Sequence, residues 1–319
     1  MTRRARPELL VDVLLLAVAA VWGASFLAAK ELSAEIGVAS ALALRFLVAT
    51  AGLGLLCLAR RERLPRGRGL VVATALGCSQ ALVIGLETWG VHLTSATNAG
   101  LLISLALVCT PVLESLAARE WLPRASFVAA VAAVVGVALL VSGDGLRPPN
   151  AGDALVLAAA VVRAIHVTAS ARVLRARSDS TLGVVLVQLA VCATVSCAVA
   201  GSALPDAVRS LSPAGWLQAA FLGLACSVFA FVVQLWAVRR TSATRASILM
   251  GTEPVWAMAT AIVLGGEVLG VLGVAGAVLI VAASYAAQAI ERRHRAAVAA
   301  RTAERTDEER LRSAAAVGP

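Results

Sequence analysis

The sequence has little charge, few aromatic residues and almost no lysine. Only 15% of its 319 residues are charged and 4% are aromatic, and Lys30 is the one lysine beside twenty-seven arginines. A soluble domain of this length can bury a large core, but it still needs a polar exterior. So small a share of charged residues does not supply that exterior, and the composition argues against a soluble protein.

The sequence also lacks the short motifs of several enzyme classes. It contains no G-x-x-x-x-G-K-[ST] pattern, so it encodes no ATP site of that kind. It has no G-x-S-x-G or H-E-x-x-H motif, and no cysteine–histidine cluster spaced for a metal. The six cysteines all fall inside apolar segments, where they are interpreted as small hydrophobic residues. We therefore expect no enzymatic activity, no metal and no cofactor.

Long apolar runs dominate the chain. Sixty per cent of the residues are hydrophobic, and the mean hydropathy is +0.86. A membrane-spanning helix needs about 20 mostly apolar residues, and ten such stretches predict a polytopic membrane protein. The predicted spans are 10–30, 37–59, 69–89, 96–117, 125–142, 153–171, 181–203, 214–237, 244–264 and 268–289.

The arginines are distributed unequally between the two sets of connections. If the N-terminus is cytoplasmic, twenty-three of the twenty-eight basic residues fall on cytoplasmic segments, and the opposite side keeps Arg147 and Arg209. Positive residues concentrate on the cytoplasmic side of membrane proteins. We therefore predict a multi-pass protein of the cytoplasmic (inner) membrane with both termini in the cytoplasm. The net charge of +9 is interpreted as a topology signal and not as a nucleic-acid-binding surface.

The chain repeats itself at an offset of 147 residues. TWGVHLTSATNA (88–99) and LWAVRRTSATRA (235–246) match at seven of twelve positions, and the same offset relates Glu120 to Glu267. Each half holds five predicted helices, and because five is odd, the second half is inserted upside down. Inverted repeats are a recurring design of transporters, with the substrate site near the midplane.

These observations predict an all-α integral membrane protein. Its ten transmembrane helices form two inverted five-helix repeats around a central cavity. The first repeat occupies residues 1–145 and the second 146–290, followed by a cytoplasmic tail rich in arginine and alanine over 291–319.

Several stretches resemble a known family. They are WGASFLAAK (22–30), ALALRFLVAT (41–50), TSATRASILMGTEPVWAMATAIVLGGE (241–267) and GAVLIVAAS (276–284). With them the chain resembles the drug/metabolite transporter superfamily, as a ten-helix permease with two EamA-type repeats. The sequence departs from the family at REW (119–121), which replaces a glycine–glutamate pair, and at Arg163. The resemblance implies that helices 1, 3 and 4, with their counterparts 6, 8 and 9, surround a substrate pathway.

Ionisable residues at membrane depth are costly and therefore mark candidate sites. Glu253 lies near the middle of helix 9, directly before Pro254, which bends the helix, and Pro111 interrupts helix 4 in the first half. Arg163 and His166 share one face of helix 6, and Glu253 is the obvious acceptor for Arg163. Two interpretations stay open for that pair: a contact with the substrate, or only a tie between helices.

The remaining candidates lie on helices 1, 2, 3 and 9. They are Gln80 and Trp22 as residues facing the interior, Trp256 beside Glu253, Arg45 in helix 2, and Lys30 with Glu87 at the outer mouth. Lys30 is open to two interpretations, since a lysine near a helix end can also extend its charge to the membrane surface.

The sequence therefore predicts a secondary transporter that exports a small polar organic metabolite, such as an amino acid or a related compound. The alternatives are a flippase or carrier of a lipid or lipid-linked intermediate, and a non-transporting membrane scaffold. The expected partners are the metabolite, membrane lipid and protons as coupling ion, with Glu253 as the residue that carries the proton. A homodimer is compatible with the sequence, and no nucleic acid is expected.

Overall fold

A computed structural model describes residues 5–106, 109, 124–142, 150–175, 179–240, 250–283 and short pieces between 285 and 297. Within these residues the regular secondary structure is helical. The helices are α1 (Ala5–Ile36), α2 (Val38–Ala59), α3 (Arg68–Leu93), α4 (Ala96–Ile103), α5 (Arg124–Ser142), α6 (Ala151–Arg175), α7 (Thr181–Ala200), α8 (Ala203–Ser210), α9 (Pro213–Ala220), α10 (Ala230–Arg240), α11 (Glu253–Val263) and α12 (Val271–Ala283).

Six described segments are long and apolar enough to cross a membrane. They are Leu10–Ile36, Val38–Ala59, Arg68–Leu93, Ala151–Ser170, Thr181–Ala200 and Pro213–Ala237. The predicted spans 96–117 and 244–264 are described only in part, as α4 and α11. The chain is thus an all-helical membrane protein in the residues described, as the apolar runs predicted.

Three helices begin at serines that cap their first turn. The side chains of Ser95, Ser180 and Ser212 accept hydrogen bonds from the backbone N–H groups of Asn98, Gly183 and Gly215. Such caps satisfy donors that the first turn of a helix leaves free. Pro213 follows Ser212 at the start of α9, where a residue without an N–H group costs nothing.

The segment between α9 and α10 departs from α-helical geometry. Residues Phe221–Phe229 form a π-helix, so the membrane segment Pro213–Ala237 is continuous but locally underwound. This segment corresponds to the eighth predicted span and is called the eighth segment below. Inside it the hydroxyl of Ser227 donates to the carbonyl oxygen of Leu222 at 2.9 Å. π-helical turns inside α-helices occur frequently at functional sites. Ser227 is fully buried and also accepts a hydrogen bond from Arg45, as described below.

The largest helix contacts join the two halves of the chain. α2 packs on α7, α3 packs on α6 and α7, and α11 packs on both α1 and α4. Ala257 of α11 lies between Gly23 of α1 and Gly100 of α4 and is 1% exposed. A Cβ atom added at Gly23 would lie 2.6 Å from the backbone nitrogen of Ala257. Only glycine therefore allows α1 and α11 to approach this closely, and the close approach positions Glu253.

The close approach predicts the effect of adding one methyl group. Gly23→Ala should lower the free energy of unfolding by about 1–3 kcal/mol, because the new Cβ meets backbone that cannot turn away. Gly85→Ala is the matched control: its Cβ would meet nothing within 4 Å, and alanine favours the helix by about 0.5–1 kcal/mol over glycine. Thermal unfolding in detergent compares the two. Equal unfolding temperatures would show that α1 and α11 are not in tight contact.

Candidate functional site

A buried ion pair joins α6 to the start of α11. Nη1 of Arg163, at the middle of α6, lies 3.2 Å from Oε1 and 3.5 Å from Oε2 of Glu253. The two side chains are only 17% and 11% exposed. Glu253 is the first residue of α11, with Pro254 after it. The N-terminus of a helix carries partial positive charge, so both the helix and the guanidinium stabilise the carboxylate.

Trp22 of α1 covers the ion pair. The guanidinium carbon of Arg163 lies 5.1 Å from the centre of the Trp22 ring, within the range of a cation–π contact. The indole Nε1 of Trp22 donates to the carbonyl oxygen of Cys226 at 3.0 Å. Trp22 also meets Phe231 edge to face, with ring centres 6.1 Å apart. Trp22 is therefore held in place by the eighth membrane segment while its face contacts the arginine.

A second buried arginine lies on α2. Arg45 is 4% exposed, and its Nε donates to the hydroxyl of Ser227 in the π-helical segment at 3.0 Å. Its guanidinium carbon also lies 5.6 Å from the ring centre of Phe46. A guanidinium stays protonated, so among the described residues the interior of the bundle contains two permanent positive charges, Arg45 and Arg163.

Glu87 of α3, which the sequence placed at the outer mouth, has a buried side chain. It is 6% exposed and interacts electrostatically with Arg163, Glu253 and Arg45. The sequence ended the third span at residue 89, but α3 continues to Leu93. Glu87 is therefore about 9 Å from the end of its helix, at a rise of about 1.5 Å per residue.

His166 and Gln80 lie deeper along the same helices. Nδ1 of His166 is 2.7 Å from the hydroxyl of Ser79 on α3, and its Nε2 is 3.5 Å from the hydroxyl of Ser170. Both ring nitrogens therefore face hydroxyl groups, which favours a histidine that ties α3 to α6. Gln80 is half-buried beside Ser79.

Lys30 lies eight residues beyond Trp22 on α1, about 12 Å by helical rise, and has its own partner. Its Nζ lies 3.6 Å from Oε1 of Glu267, in the connection between α11 and α12. The two oxygens of Glu267 also accept hydrogen bonds from the backbone N–H groups of Ala96 and Thr97, at 2.8 and 3.0 Å. Glu267 therefore joins α1, the N-terminus of α4 and the α11–α12 connection.

The surroundings of Glu267 favour its charged form. Burial alone would raise the pKa of this carboxyl, but hydrogen bonds from Thr97 and Ala96 and the charge of Lys30 together hold the pKa below its usual range. Glu267 is thus an ionised group that holds three segments together at one end of the bundle.

The remaining predicted site residues are Trp256 and the two prolines, Pro254 and Pro111. Trp256 is 41% exposed, in contrast to Trp22 at 7%. Pro254 lies in the first turn of α11, after a turn at residues 251–252. A turn therefore directly precedes Glu253, where the sequence predicted a bend within a continuous helix. Pro111 lies outside the described residues. Sequence reasoning missed the positions of Glu87 and Glu267 and the π-helical segment.

Comparison with known proteins covers most of the chain. A crystal structure of a protein that is 20% identical has a similar fold, with a TM-score of 0.61 over 89% of this chain and 98% of that one. No curated protein matches the sequence. The model of the EamA-like transporter family matches twice, over residues 9–142 and 150–287. These two matches confirm the resemblance seen in the sequence, and the chain belongs to the EamA-like transporter family.

Proposed function

We propose that the protein is a secondary transporter that exports a small polar organic metabolite across the cytoplasmic membrane. The observation that carries this proposal is the Arg163–Glu253 pair beneath Trp22, buried where α1, α6 and α11 meet. Charges at membrane depth are costly and mark substrate or ion pathways. An arginine and a carboxylate side by side can bind a carboxylate and an amine of the same small molecule.

We further propose that the two family repeats are inverted five-helix units. The contacts between the halves are reciprocal, which supports this arrangement. Gly77 of α3 lies against Gln188 and Val191 of α7, and Gly223 of the eighth segment lies against Arg45 and Val48 of α2. Gln188 follows Arg45 by 143 positions, and Val191 follows Val48 by the same number. A two-fold axis between the halves accounts for such exchanged contacts.

The orientation in the membrane follows from the arginine distribution. Both termini and the arginine-rich connections face the cytoplasm in this proposal. The end of the bundle with Lys30 and Glu267 then faces outward, and the Arg163–Glu253 pair lies between the two surfaces. A charged pair at that depth is accessible to each side in turn when the repeats rock against each other.

A resistance assay followed by flux measurement tests the proposal. Cells that express the protein should tolerate several-fold higher concentrations of an inhibitory amino acid or analogue than cells that express Arg163→Met, because export lowers the internal concentration. Proteoliposomes loaded with the same compound should release it when they contain the wild-type protein and should not release it when they contain Arg163→Met. The matched control is Arg209→Met, which removes an arginine that is 79% exposed and should leave export intact.

Two results would contradict an exporter of polar metabolites. One is equal tolerance of wild-type and Arg163→Met cells for every compound tried, with no release from proteoliposomes. The other is movement of fluorescent lipid between leaflets by the wild-type protein, which would favour the flippase.

A further inference from the structure

Glu87 differs from three other buried or half-buried acids, namely Glu253, Asp153 and Glu267. Glu253 contacts Arg163, Asp153 accepts from the Thr94 hydroxyl at 2.7 Å, and Glu267 accepts two backbone N–H groups. Oε2 of Glu87, in contrast, is buried and has no hydrogen-bond partner in the described part of the chain. It is the one carboxylate oxygen among those residues with this property.

An unpartnered carboxylate oxygen is costly in a buried position. A buried polar group without a hydrogen bond costs a few kcal/mol, and an ionised group costs more. A bound proton removes the charge and turns the carboxyl into a hydrogen-bond donor. The chemistry of Glu87 therefore suits a group that binds and releases a proton.

The charged groups around Glu87 come from several helices. Arg163 on α6, Glu253 on α11 and Arg45 on α2 interact electrostatically with Glu87, and so does the thiol of Cys226 in the eighth segment. His166 of α6 contacts Ser79 of α3, and Ser79 is about 12 Å from Glu87 by helical rise. The cluster contains two guanidinium groups and two carboxyl groups, so it is neutral when both acids are ionised and positive when one is protonated.

Arg163 is attracted by both acids. It interacts electrostatically with Glu253 and with Glu87, but its recorded hydrogen bonds, through Nη1, are to Glu253. An ionised Glu87 on α3 competes with Glu253 on α11 for this guanidinium. A neutral Glu87 does not compete, so its protonation changes how firmly α6 is tied to α11.

We propose that Glu87 is a proton-binding site. Protonation of Glu87 weakens its electrostatic attraction for Arg163, so that Arg163 interacts mainly with Glu253. This inference rests on the proposed transport function and assigns the coupling proton to Glu87. It replaces the expectation that Glu253 carries that proton, because Glu253 already contacts the guanidinium of Arg163 and is itself the first residue of α11. The proton moves between water and Oε2 of Glu87, and no other bond forms or breaks.

Infrared difference spectroscopy of the full-length protein in detergent tests the proton site without any substrate. As the pH is lowered from neutral, the wild type should gain a carboxyl C=O band at the high frequency typical of a buried, weakly hydrogen-bonded acid. Glu87→Gln should lose this band completely. Glu253→Gln frees Arg163 for Glu87, so in that variant the band should appear only at a lower pH than in the wild type. Asp206→Asn, which removes an acid that is 82% exposed, should leave the band unchanged.

The alternative outcomes are decisive. A band that persists in Glu87→Gln, or that has the same pH dependence in Glu253→Gln as in the wild type, would overturn the assignment. Glu87→Gln should fold, because glutamine has the same shape and removes an unpartnered charge, and an unfolding temperature at or above that of the wild type checks this. If the Gln variant fails to fold, Glu87→Asp gives the same test, since a shorter acid should shift the frequency of the band.

Flux separates this inference from the transport function. With the compound found by the resistance assay, Glu87→Gln proteoliposomes should exchange it downhill but show no stimulation by an imposed pH gradient. If the wild type moves none of the compounds but has the Glu87 band, the transport function fails and the proton site stands. If Glu87→Gln responds to the gradient as the wild type does, Glu87 does not couple protons.

Discussion

Arg163→Met should abolish export and also destabilise the folded protein by about 3–5 kcal/mol. Removal of one partner of a buried ion pair leaves the other charge uncompensated, which is the costly case. Here the remaining charge is Glu253, which is 8% exposed. The helix N-terminus at Glu253 offsets a part of that cost. Thermal unfolding of the purified protein in detergent measures the loss.

The double variant Arg163→Met/Glu253→Gln decides between the two interpretations of the pair. Replacement of both charges by neutral groups of similar size is often close to neutral for stability. We therefore expect the double variant to unfold at a higher temperature than Arg163→Met alone. The two single variants, Arg163→Met and Glu253→Gln, measured together with the double variant, give the coupling energy of the pair.

Flux through the stabilised double variant is the informative measurement. If the pair only ties α6 to α11, recovered stability should bring recovered export. If the pair binds the substrate, as we propose, the double variant should be stable and still inactive. Arg209→Met is again the control, because the Arg209–Asp206 pair lies at the surface, where ion pairs contribute little. Restored export in the double variant would reduce Arg163 and Glu253 to a structural tie.

The helices were largely predictable, because length and hydropathy suffice to identify a membrane-spanning helix. The ends of the helices were predicted less well, and the errors in their positions have physical causes. α1 continues to Ile36 and α3 to Leu93, since helices can extend beyond the apolar core into the polar surface region. The short helix α8 was missed because it has no buried residue and no apolar run. The π-helical segment leaves no signal in hydropathy.

The candidate site was predictable where a charge interrupts an apolar run. Arg163 and Glu253 could be paired from the sequence because each is costly alone and their depths agree. Lys30 could not be paired with Glu267, because the two are remote in the chain and Glu267 lies in a connection. The burial of Glu87 was not predicted, because the end of a helix is uncertain by about two to four residues in the sequence. That uncertainty is large enough to confuse an exposed position with a buried one.

Glu267→Gln should destabilise the protein at neutral pH by about 1–3 kcal/mol. Hydrogen bonds to a charged group contribute more than neutral ones, and the variant keeps only one acceptor oxygen for the N–H groups of Ala96 and Thr97. It also removes the charge that faces Lys30. Lys30→Met should have a smaller effect, because both backbone hydrogen bonds to Glu267 remain.

The pH dependence of this loss identifies its cause. The pKa of Glu267 is lower in the folded protein than its usual value, as a result of the Thr97 and Ala96 hydrogen bonds and Lys30 acting against burial. A group of this kind stabilises the fold above its unfolded pKa, about 4.3 for a glutamate, and the contribution disappears as the pH falls through the folded pKa. The unfolding temperatures of wild type and Glu267→Gln should therefore differ at pH 7 and converge in acid. Asp206→Asn, at the surface, should follow the wild type throughout. A constant difference between wild type and Glu267→Gln at every pH would mean that shape, and not the charge on Glu267, holds α1, α4 and the α11–α12 connection together.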